Sequence, residues 1–280
     1  MKRILNFFKS YTDIIVLIFK EHFTNLHQIG KLSVADLKKT YNGSALGWAW
    51  AVIKPVFTLF VYWFAIAIGL RSGKDTGDYP FILWLMAGMV AWFYMTEIIT
   101  GGTVCIRRYS YLVTKMKYPI TTIPTFTGLS HLYVHFVLVA VVIAVFWIMG
   151  YAPTLYLVQL PIYTILMFLF FNAWAMFSGL VSAISKDFSN LVKSLNIGVF
   201  WLSGILWNID NVADNKILDI IMKINPVTFI CYGYRNCFVN HKWFFEEPVQ
   251  LAVFLGWYAI LGFMSLWTYK KLRKEIPDVL

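Results

Sequence analysis

The chain has 280 residues, of which 59% are hydrophobic and only 14% are charged, and its formal net charge is +10. A soluble domain is typically about 25% charged and about 45–50% apolar, so this composition excludes an ordinary soluble enzyme, a disordered chain and a disulfide scaffold. It indicates an integral membrane protein with short loops, whose basic excess belongs to cytoplasmic loops and not to a nucleic-acid site.

The N-terminal segment, residues 1–47, is predicted to precede the membrane domain without a core of its own. Residues 11–29 combine a cluster of apolar side chains with Lys20 and Glu21, a pattern typical of an amphipathic helix that lies in the bilayer interface. Residues 32–41 are expected to form a second short helix. We therefore interpret the segment as a cytoplasmic element in contact with membrane lipids.

Residues 48–270 are predicted to form a transmembrane domain of six helices. A spanning helix needs about 20 mostly apolar residues, and the segments that qualify are residues 48–70, 79–103, 121–149, 154–185, 194–207 and 249–269. The fifth segment is the weakest because it is short. The runs are continuous and not alternating, which excludes a transmembrane barrel, so the predicted fold class is all-α.

Two segments between the spans differ from ordinary loops. Residues 104–120 carry four positive charges, no acid and an apolar face that includes Leu112, so we predict a short cytoplasmic helix there. Residues 208–248 are too apolar for a solvated outer loop, and we predict re-entrant or interfacial helices that break at Asn225 and Pro226.

The distribution of charge predicts the orientation of the spans. Most of the 24 lysines and arginines precede the first span, follow the second and fourth, or lie in the tail of residues 271–280. Because positive charges collect in cytoplasmic loops, both termini are predicted to be cytoplasmic in a multi-pass plasma-membrane protein. The outer side is nearly neutral, with charges at Arg71, Lys74, Asp75, Asp78, Asp210, Asp214, Lys216, Asp219, Lys223, Arg235, Lys242, Glu246 and Glu247.

Polar side chains inside the spans mark candidate functional sites. Glu97 is the only charged residue deep in a span; it either lines an inner gate, binds a cation of the N-terminal segment, or snorkels or is protonated against a neighbouring helix. His131 and His135 share a helix face. A metal pair is possible there, but without a third ligand we favour hydrogen bonds between helices, as for Asn172.

Four sequence patterns, in register with the six spans, carry a resemblance to a known family. They are Tyr41-x-x-Ser44-x-Leu46-Gly47-x-x-Trp50-x-x-x-x-Pro55, Leu112-Val-x-Lys115-x-x-Tyr-Pro119 with Pro124, Lys186-Asp187, and Asn225-Pro226-Val-Thr228 followed by Tyr234-Arg235. Together they resemble the permease subunits of type-2 ABC exporters, most closely those that export polysaccharides such as teichoic acid and O-antigen. Ser203-Gly204 departs from the Ser-Pro that the family usually carries after the fifth helix.

The resemblance implies that the chain is half of a transporter: two permeases would pair with two ATPase subunits. The sequence agrees that a separate motor is needed, because it has no P-loop. The nearest string, from Gly69 to Asp75, is one residue short and ends in Asp. The chain is therefore expected to be no enzyme and to bind no cofactor, with ATP and Mg on the partner.

The resemblance also implies where the partner and the substrate act. The ATPase would press on residues 104–120, and the predicted coupling residues are Arg107, Arg108, Tyr109, Lys115 and Lys117. A lipid-linked polysaccharide, with teichoic acid as the expected polymer, needs aromatic side chains on which sugar rings can stack. The predicted path comprises Phe57, Phe60 and Phe64, which share one helix face, Phe170, Trp174 and Phe177, which share another, and Glu97.

Several alternatives stay open. Either aromatic stripe can instead pack between helices or face lipid. Arg235 is expected to pair with Asp219, Glu246 or Glu247, or else to meet an anionic substrate. Within the family, a drug or lipid exporter is an alternative. A membrane-embedded enzyme is disfavoured because the acids are scattered, and a secondary transporter because no internal repeat is found.

Overall fold

A computed structural model describes residues 2–70, 79–208 and 215–280, with backbone alone for residues 2–8 and Pro277. Every regular element in these ranges is a helix, which confirms the all-α prediction. The charges expected at Arg71, Lys74, Asp75, Asp78, Asp210 and Asp214 lie outside the described residues, as does most of the string that resembles a P-loop.

The α-helices of the described residues are numbered in chain order. They are α1 (Lys2–Thr24), α2 (Leu26–Tyr41), α3 (Trp50–Trp63), α4 (Phe81–Glu97), α5 (Thr103–Arg108), α6 (Ser110–Thr114), α7 (Thr122–Ile148), α8 (Leu160–Ile184), α9 (Lys186–Leu202), α10 (Lys216–Ile224), α11 (Pro226–Arg235), α12 (Pro248–Leu272) and α13 (Ile276–Val279). Wider π turns follow α3 at Phe64–Gly69, join α4 to α5 at Ile98–Gly102 and follow α11 at Asn236–Asn240, while 3-10 turns precede α3 at Gly47–Ala49 and α8 at Leu155–Gln159.

Five stretches among the described residues are long and apolar enough to cross a membrane. They are Gly47–Gly69, Phe81–Arg108, Thr122–Ile148, Leu155–Ile184 and Pro248–Leu272. They agree with five of the six predicted spans. The remaining one, predicted over residues 194–207, is not among them. Its helix, α9, is only 17 residues long and begins earlier, with Lys186 and Asp187 in its first turn.

The stretch Phe81–Arg108 is the central helix of the bundle. Of its most apolar part 78% is buried within the chain, against 17% for Gly47–Gly69 and for Pro248–Leu272. α4 packs against α7 and α11, and α5 packs against α8. Because the other helices surround this one, the side chains along it have fixed neighbours at every level of the bundle.

α9 runs the length of this central helix in the opposite direction. Its successive contacts on that helix are Ser189 with Arg107 at 3.1 Å, Asn196 with Thr96 at 2.8 Å, and Phe200 with Trp92 at 5.2 Å between ring centroids. The partner positions fall from 107 to 92 as α9 advances. α9 therefore carries the chain from the end of α8 back to the opposite end of the bundle.

A second, smaller core lies where the central helix ends. Ile106 and Leu112 pack there with Ile29 of α2, and Ile276 of α13 is buried in the same cluster. We call this end of the bundle the basic end, after the four cations of residues 104–120, and the opposite end the far end. The small core ties the N-terminal helices and the C-terminal helix to the end of the central span.

α1 has the two-sided character that the sequence predicts. Ile14 is buried, while Val16, Phe19 and Phe23 are 60–70% exposed. The ring of Tyr11 lies 5.7 Å from that of Phe263 on α12. One face of α1 therefore packs on the bundle and leaves an apolar face uncovered, and its location in a bilayer interface remains a prediction.

Candidate functional site

The predicted coupling segment is the continuation of the central helix, broken once. That helix ends at Arg108, the chain turns at Tyr109, and α6 adds five residues up to Thr114. The helix predicted over residues 104–120 is thus in two pieces. Because α5 continues the central span through one π turn, a displacement of Arg108 acts directly on that span.

The cations of this segment differ in exposure. The side chains of Arg108, Lys115 and Lys117 are exposed, and the neighbouring Met116 is 66% exposed. Arg107 is half-buried, because its Nη2 donates a hydrogen bond to Ser189 Oγ at 3.1 Å. Exposed cations beside an apolar side chain form a surface suited to binding a protein.

Tyr109, also predicted to take part in coupling, lies beneath this surface. It is 4% exposed, and its hydroxyl donates a hydrogen bond to the buried Asp36 carboxylate of α2. Burial, together with the hydrogen bond and charge of Asp36, raises the pKa of Tyr109 above its usual value. Tyr109 is therefore a neutral donor that fastens α2 to the turn after Arg108.

A cavity of about 520 Å³ lies between the end of α2, α3, α4 and α7, and we call it the polar cavity. Its walls combine charged, polar and aromatic side chains, among them Thr40, Tyr41, Ser44, Trp50, Lys54, Tyr62, Trp92, Tyr94, Glu97, His131 and His135. Lys54 Nζ lies 3.6 Å from Glu97 Oε1, and the two side chains are 75% and 46% exposed. Glu97 thus lines an opening, and its cation comes from the first span and not from the N-terminal segment.

A buried polar network closes the deep end of the polar cavity. His135 Nε2 lies 2.7 Å from the Tyr234 hydroxyl, which lies 2.6 Å from Thr164 Oγ1. The network joins α7, α11 and α8, so the interhelical hydrogen bond favoured for His135 is confirmed. Within the described residues no group of three or more His, Cys, Asp or Glu side chains could hold a metal ion.

A second cavity, of about 420 Å³, is lined almost entirely by apolar side chains and is called the apolar cavity. Phe170, Trp174 and Phe177 of the predicted path line it, together with Asn225 and Pro226 at the break between α10 and α11. One aromatic stripe of the predicted path and the outer motif therefore meet in one cavity.

The other aromatic stripe lies elsewhere. Phe57, Phe60 and Phe64 are 66%, 51% and 50% exposed on the outward face of α3 and its π turn. They line neither the polar nor the apolar cavity. The structure thus separates the predicted path into an exposed stripe on the first span, Glu97 in the polar cavity, and a stripe in the apolar cavity.

Arg235 corrects one prediction, because its partners are carbonyl groups and not carboxylates. It is 0% exposed, and its guanidinium donates to the carbonyl oxygens of Gly204 at 2.7 Å, Ile205 at 2.5 Å and Trp84 at 3.4 Å. Its Cζ lies 3.4 Å from the centre of the Trp84 ring. The acids expected as partners lie in other contacts: Asp219 with Lys223, Glu247 with Lys242, and Glu246 with the Trp243 backbone N–H.

The guanidinium supplies donors to the carbonyls of Gly204 and Ile205 in the turn that follows α9, where the backbone is no longer helical. A buried cation without an anion is normally costly, and here three carbonyls and an aromatic face offset that cost. The role as a contact for an anionic substrate is not compatible with complete burial. Arg235 instead fixes α9, α11 and the central helix to one another.

Some residues of these sites carry no clear signal in the sequence. Trp84 reads as a residue of the membrane interface but is 2% exposed beneath Arg235. Asp36 sits in an apparently ordinary polar helix, yet it is 4% exposed and accepts from Tyr109. In both cases the partner lies far away in sequence, so only the packing of distant helices reveals the contact.

Comparison with known proteins gives a family and several relatives. The profile of the ABC-2 type transporter family matches residues 27–239. The O-antigen export system permease protein RfbA of Myxococcus xanthus is 22% identical over 234 residues, which cover 82% of this chain and 88% of the relative. A protein of the same name from Klebsiella pneumoniae is 24% identical over 251 residues, which cover 88% and 92%. Every residue that lines the polar cavity falls within the range matched by the family.

Proposed function

We propose, because this chain belongs to the ABC-2 type transporter family, that it is the permease subunit of an ABC transporter that exports a lipid-linked polysaccharide across the plasma membrane. The proposal rests on the polar cavity, which combines an ion pair, hydroxyl groups and aromatic rings beside the basic end. Two permeases would work with two ATPase subunits that bind ATP and Mg, while this chain carries the substrate and holds no cofactor.

The class of polymer is proposed from two kinds of likeness. Two of the relatives found by comparison are named as O-antigen export permeases, which supports a polysaccharide as the substrate. The four sequence patterns resemble most closely the polysaccharide exporters, and the chain as a whole is most similar to the teichoic acid permeases among them, so we propose teichoic acid as the polymer.

The coupling surface supports the need for an ATPase partner. Arg108, Lys115 and Lys117 are exposed at the basic end, on the chain that directly continues the central helix. We propose that the basic end faces the cytoplasm and that the ATPase docks on these cations. The half-buried Arg107 and the buried Tyr109 would hold the surface in place from beneath.

α9 is proposed as the sixth span. At 1.5 Å per residue, its 17 residues extend about 25 Å, close to the roughly 30 Å of a hydrocarbon core. α8 ends at the basic end and α12 begins at the far end, which supports a crossing between them, and α9 runs in that direction. With six crossings, both termini would be cytoplasmic.

α10 and α11 are proposed as a re-entrant pair that enters from the outside. The carbonyl of Ile224, at the break between them, accepts a hydrogen bond of 3.0 Å from Trp257 Nε1. Trp257 lies nine residues into α12, which corresponds to a depth of about 13 Å. Asn225 Nδ2 also donates to Ser203 Oγ at 2.8 Å, so the turn would be anchored within the membrane on the end of α9.

The proposal is tested by reconstituting the chain with an ATPase encoded beside it. Proteoliposomes would carry a polyprenyl diphosphate linked to a short labelled saccharide, and ATP-dependent movement of the label to the opposite leaflet would be measured. Export that needs both ATP and the ATPase is the expected result. Transport of an apolar dye without transport of the saccharide would favour a drug or lipid exporter, which the apolar cavity would then serve.

A further inference from the structure

The polar cavity has the size and chemistry of a ligand site. Its volume of about 520 Å³ falls within the roughly 300–1,000 Å³ of small-molecule sites. It opens beside the exposed ends of α2 and α3, near Ser44, Trp50 and Lys54. Its lining also includes the buried His135. A ligand entering from the leaflet at the basic end would therefore meet an ammonium group and an indole ring first, and buried polar groups deeper in.

We propose that the polar cavity is the loading site for the sugar-phosphate headgroup of the substrate, with Lys54 as the phosphate-binding residue. The proposal rests on the proposed function, since it presumes a lipid-linked saccharide. The headgroup would lie in the polar cavity and be bound by Lys54, whose partner would change from the Glu97 carboxylate to the phosphate. The ligand class is a membrane lipid whose phosphate group carries a hydroxyl-rich ring.

The ion pair of Lys54 and Glu97 is suited to being opened by a ligand. The atoms are 3.6 Å apart and both side chains are substantially exposed, and a pair of this kind contributes little to stability. A phosphate offers Lys54 several anionic oxygens and shorter, charge-assisted hydrogen bonds. Glu97 thus holds the ammonium at the mouth until the phosphate replaces the carboxylate.

Aromatic rings line the cavity on the sides where a sugar would lie. Trp50 is 44% exposed at the mouth, and Trp92 is 6% exposed in the wall. Tryptophan offers a flat apolar face with a polar edge, which matches a sugar ring with apolar faces and a rim of hydroxyl groups.

The exposed face of α3 gives the lipid part of such a substrate a place. Phe57 and Phe64 lie three and ten residues after Lys54, which at helical spacing puts them on the same side. Both rings are at least half exposed. A polyprenyl chain can therefore lie along this stripe, in the bilayer, while its headgroup occupies the cavity.

Two variants that break the same ion pair distinguish binding from structure. The permease–ATPase complex in nanodiscs is titrated with polyprenyl diphosphate N-acetylglucosamine, and binding is followed by tryptophan fluorescence. Lys54→Gln should weaken binding about tenfold, the effect of losing a charge-assisted hydrogen bond. Glu97→Gln should tighten binding, because the competitor for Lys54 is removed. Equal weakening by both variants would mean that the pair is only structural, and would overturn the proposal.

Controls distinguish a lipid-linked sugar phosphate from an ordinary phospholipid, and failure of the loading site from failure of the proposed function. Lys186→Gln removes an exposed cation outside the cavity and should change affinity less than twofold. Phosphatidylglycerol should displace the probe poorly, and displacement as strong as that by unlabelled probe would overturn the sugar-phosphate assignment. If the wild-type complex exports the saccharide while Lys54→Gln binds it normally, the loading site is wrong and the function stands. If the wild-type complex exports no saccharide, the proposed function itself fails.

Discussion

Arg235 shows how one buried side chain can organise the far end of the bundle. Its guanidinium reaches three carbonyl groups only because Gly88 leaves room on the central helix. A Cβ at position 88 would lie 2.7 Å from Arg235 Nη2 and 2.9 Å from Cζ, which is closer than ordinary van der Waals contact. The absence of a side chain at Gly88 is therefore a requirement of the Arg235 site.

Gly88→Ala should destabilise the protein, because Arg235 has to leave its carbonyl partners or the helices have to separate. We expect a loss of about 1–3 kcal/mol, the usual cost of overpacking, measured by thermal unfolding in detergent. Gly256→Ala on α12 is the matched control, since a Cβ there has nothing within 4 Å. Equal unfolding temperatures for the two variants would contradict this account of Gly88.

Tyr109→Phe should also reduce stability. It removes the hydroxyl that donates to the buried Asp36, whose other carboxylate oxygen has no partner within the described residues. The expected loss is about 1–3 kcal/mol, and Tyr111→Phe, at a 45% exposed ring, should be nearly neutral.

The same hydroxyl predicts a dependence on pH. The pKa of Tyr109 is raised in the folded chain by burial and by Asp36. The unfolded chain therefore loses this proton near pH 10, before the folded chain does. The stabilisation is complete below pH 10 and is lost as the pH rises further. Unfolding temperatures between pH 9 and pH 11 should fall less steeply for Tyr109→Phe than for the wild type.

At the scale of the residue, the sequence predicts the kinds of interaction better than the partners. The hydrogen bond between helices expected of His135 is present, because a polar side chain inside a span must find a partner there. The carboxylate expected for Arg235 is not its partner, since the turn that follows a distant helix, α9, presents two carbonyl oxygens at that place. No local pattern encodes that meeting.

At the scale of the element, α9 shows where hydropathy alone is insufficient. Its first half carries Lys186, Asp187 and Lys193. The mean hydropathy of the helix is therefore low, and at 17 residues it is too short to stand out as a span. Its position is instead determined by contacts along the central helix. Five candidate spans follow from apolar length, and α9 as a sixth span is a proposal that rests on its contacts along the central helix.

A labelling experiment tests the crossing of α9. Lys186→Cys and Lys216→Cys each add one thiol, at the first residue of α9 and at the first residue of α10, and both positions are exposed. The three native cysteines are buried, so their background reaction is low. We expect Lys216→Cys to react with an impermeant maleimide on intact cells, and Lys186→Cys to react only after the membrane is opened. Reaction of both from the same side would contradict a sixth span.

At the scale of the whole molecule, the charges and the helices give a consistent picture. The small core at the basic end brings together helices from both termini and the end of the central span. This is where the sequence places most positive charge. The general plan of an all-helical membrane protein with a basic face could therefore be predicted. The two separate cavities could not, because the way in which whole helices pack against one another is not encoded in any local pattern.

Arg108→Glu should weaken binding of the ATPase subunit to the permease. The fold of the permease should stay intact, because the Arg108 side chain is exposed. The variant replaces a favourable charge by a repulsive one. The amount of ATPase that co-purifies with an affinity-tagged permease should therefore fall about tenfold. Lys216→Glu makes the same change of charge at an exposed residue beyond α9, and should have no such effect. Normal recovery and export with Arg108→Glu would rule out docking at this surface.

The π turn at Ile98–Gly102 is a point of rotation in the central helix, between α4, which lines the polar cavity, and α5, which ends at the basic end. A π turn contains one residue more than an α turn, so its relaxation to α-helical winding would rotate the flanking segments by about 100° and shift them by about 1.5 Å. Glu97 directly precedes the turn and Arg108 follows it by one short helix, and Trp174 Nε1 braces the carbonyl of Ile99 at 3.2 Å. A torque applied at the basic end would thus turn Arg108 about this point, while the far half of the same helix, which lines the polar cavity from Met89 to Glu97, stays in place around Arg235.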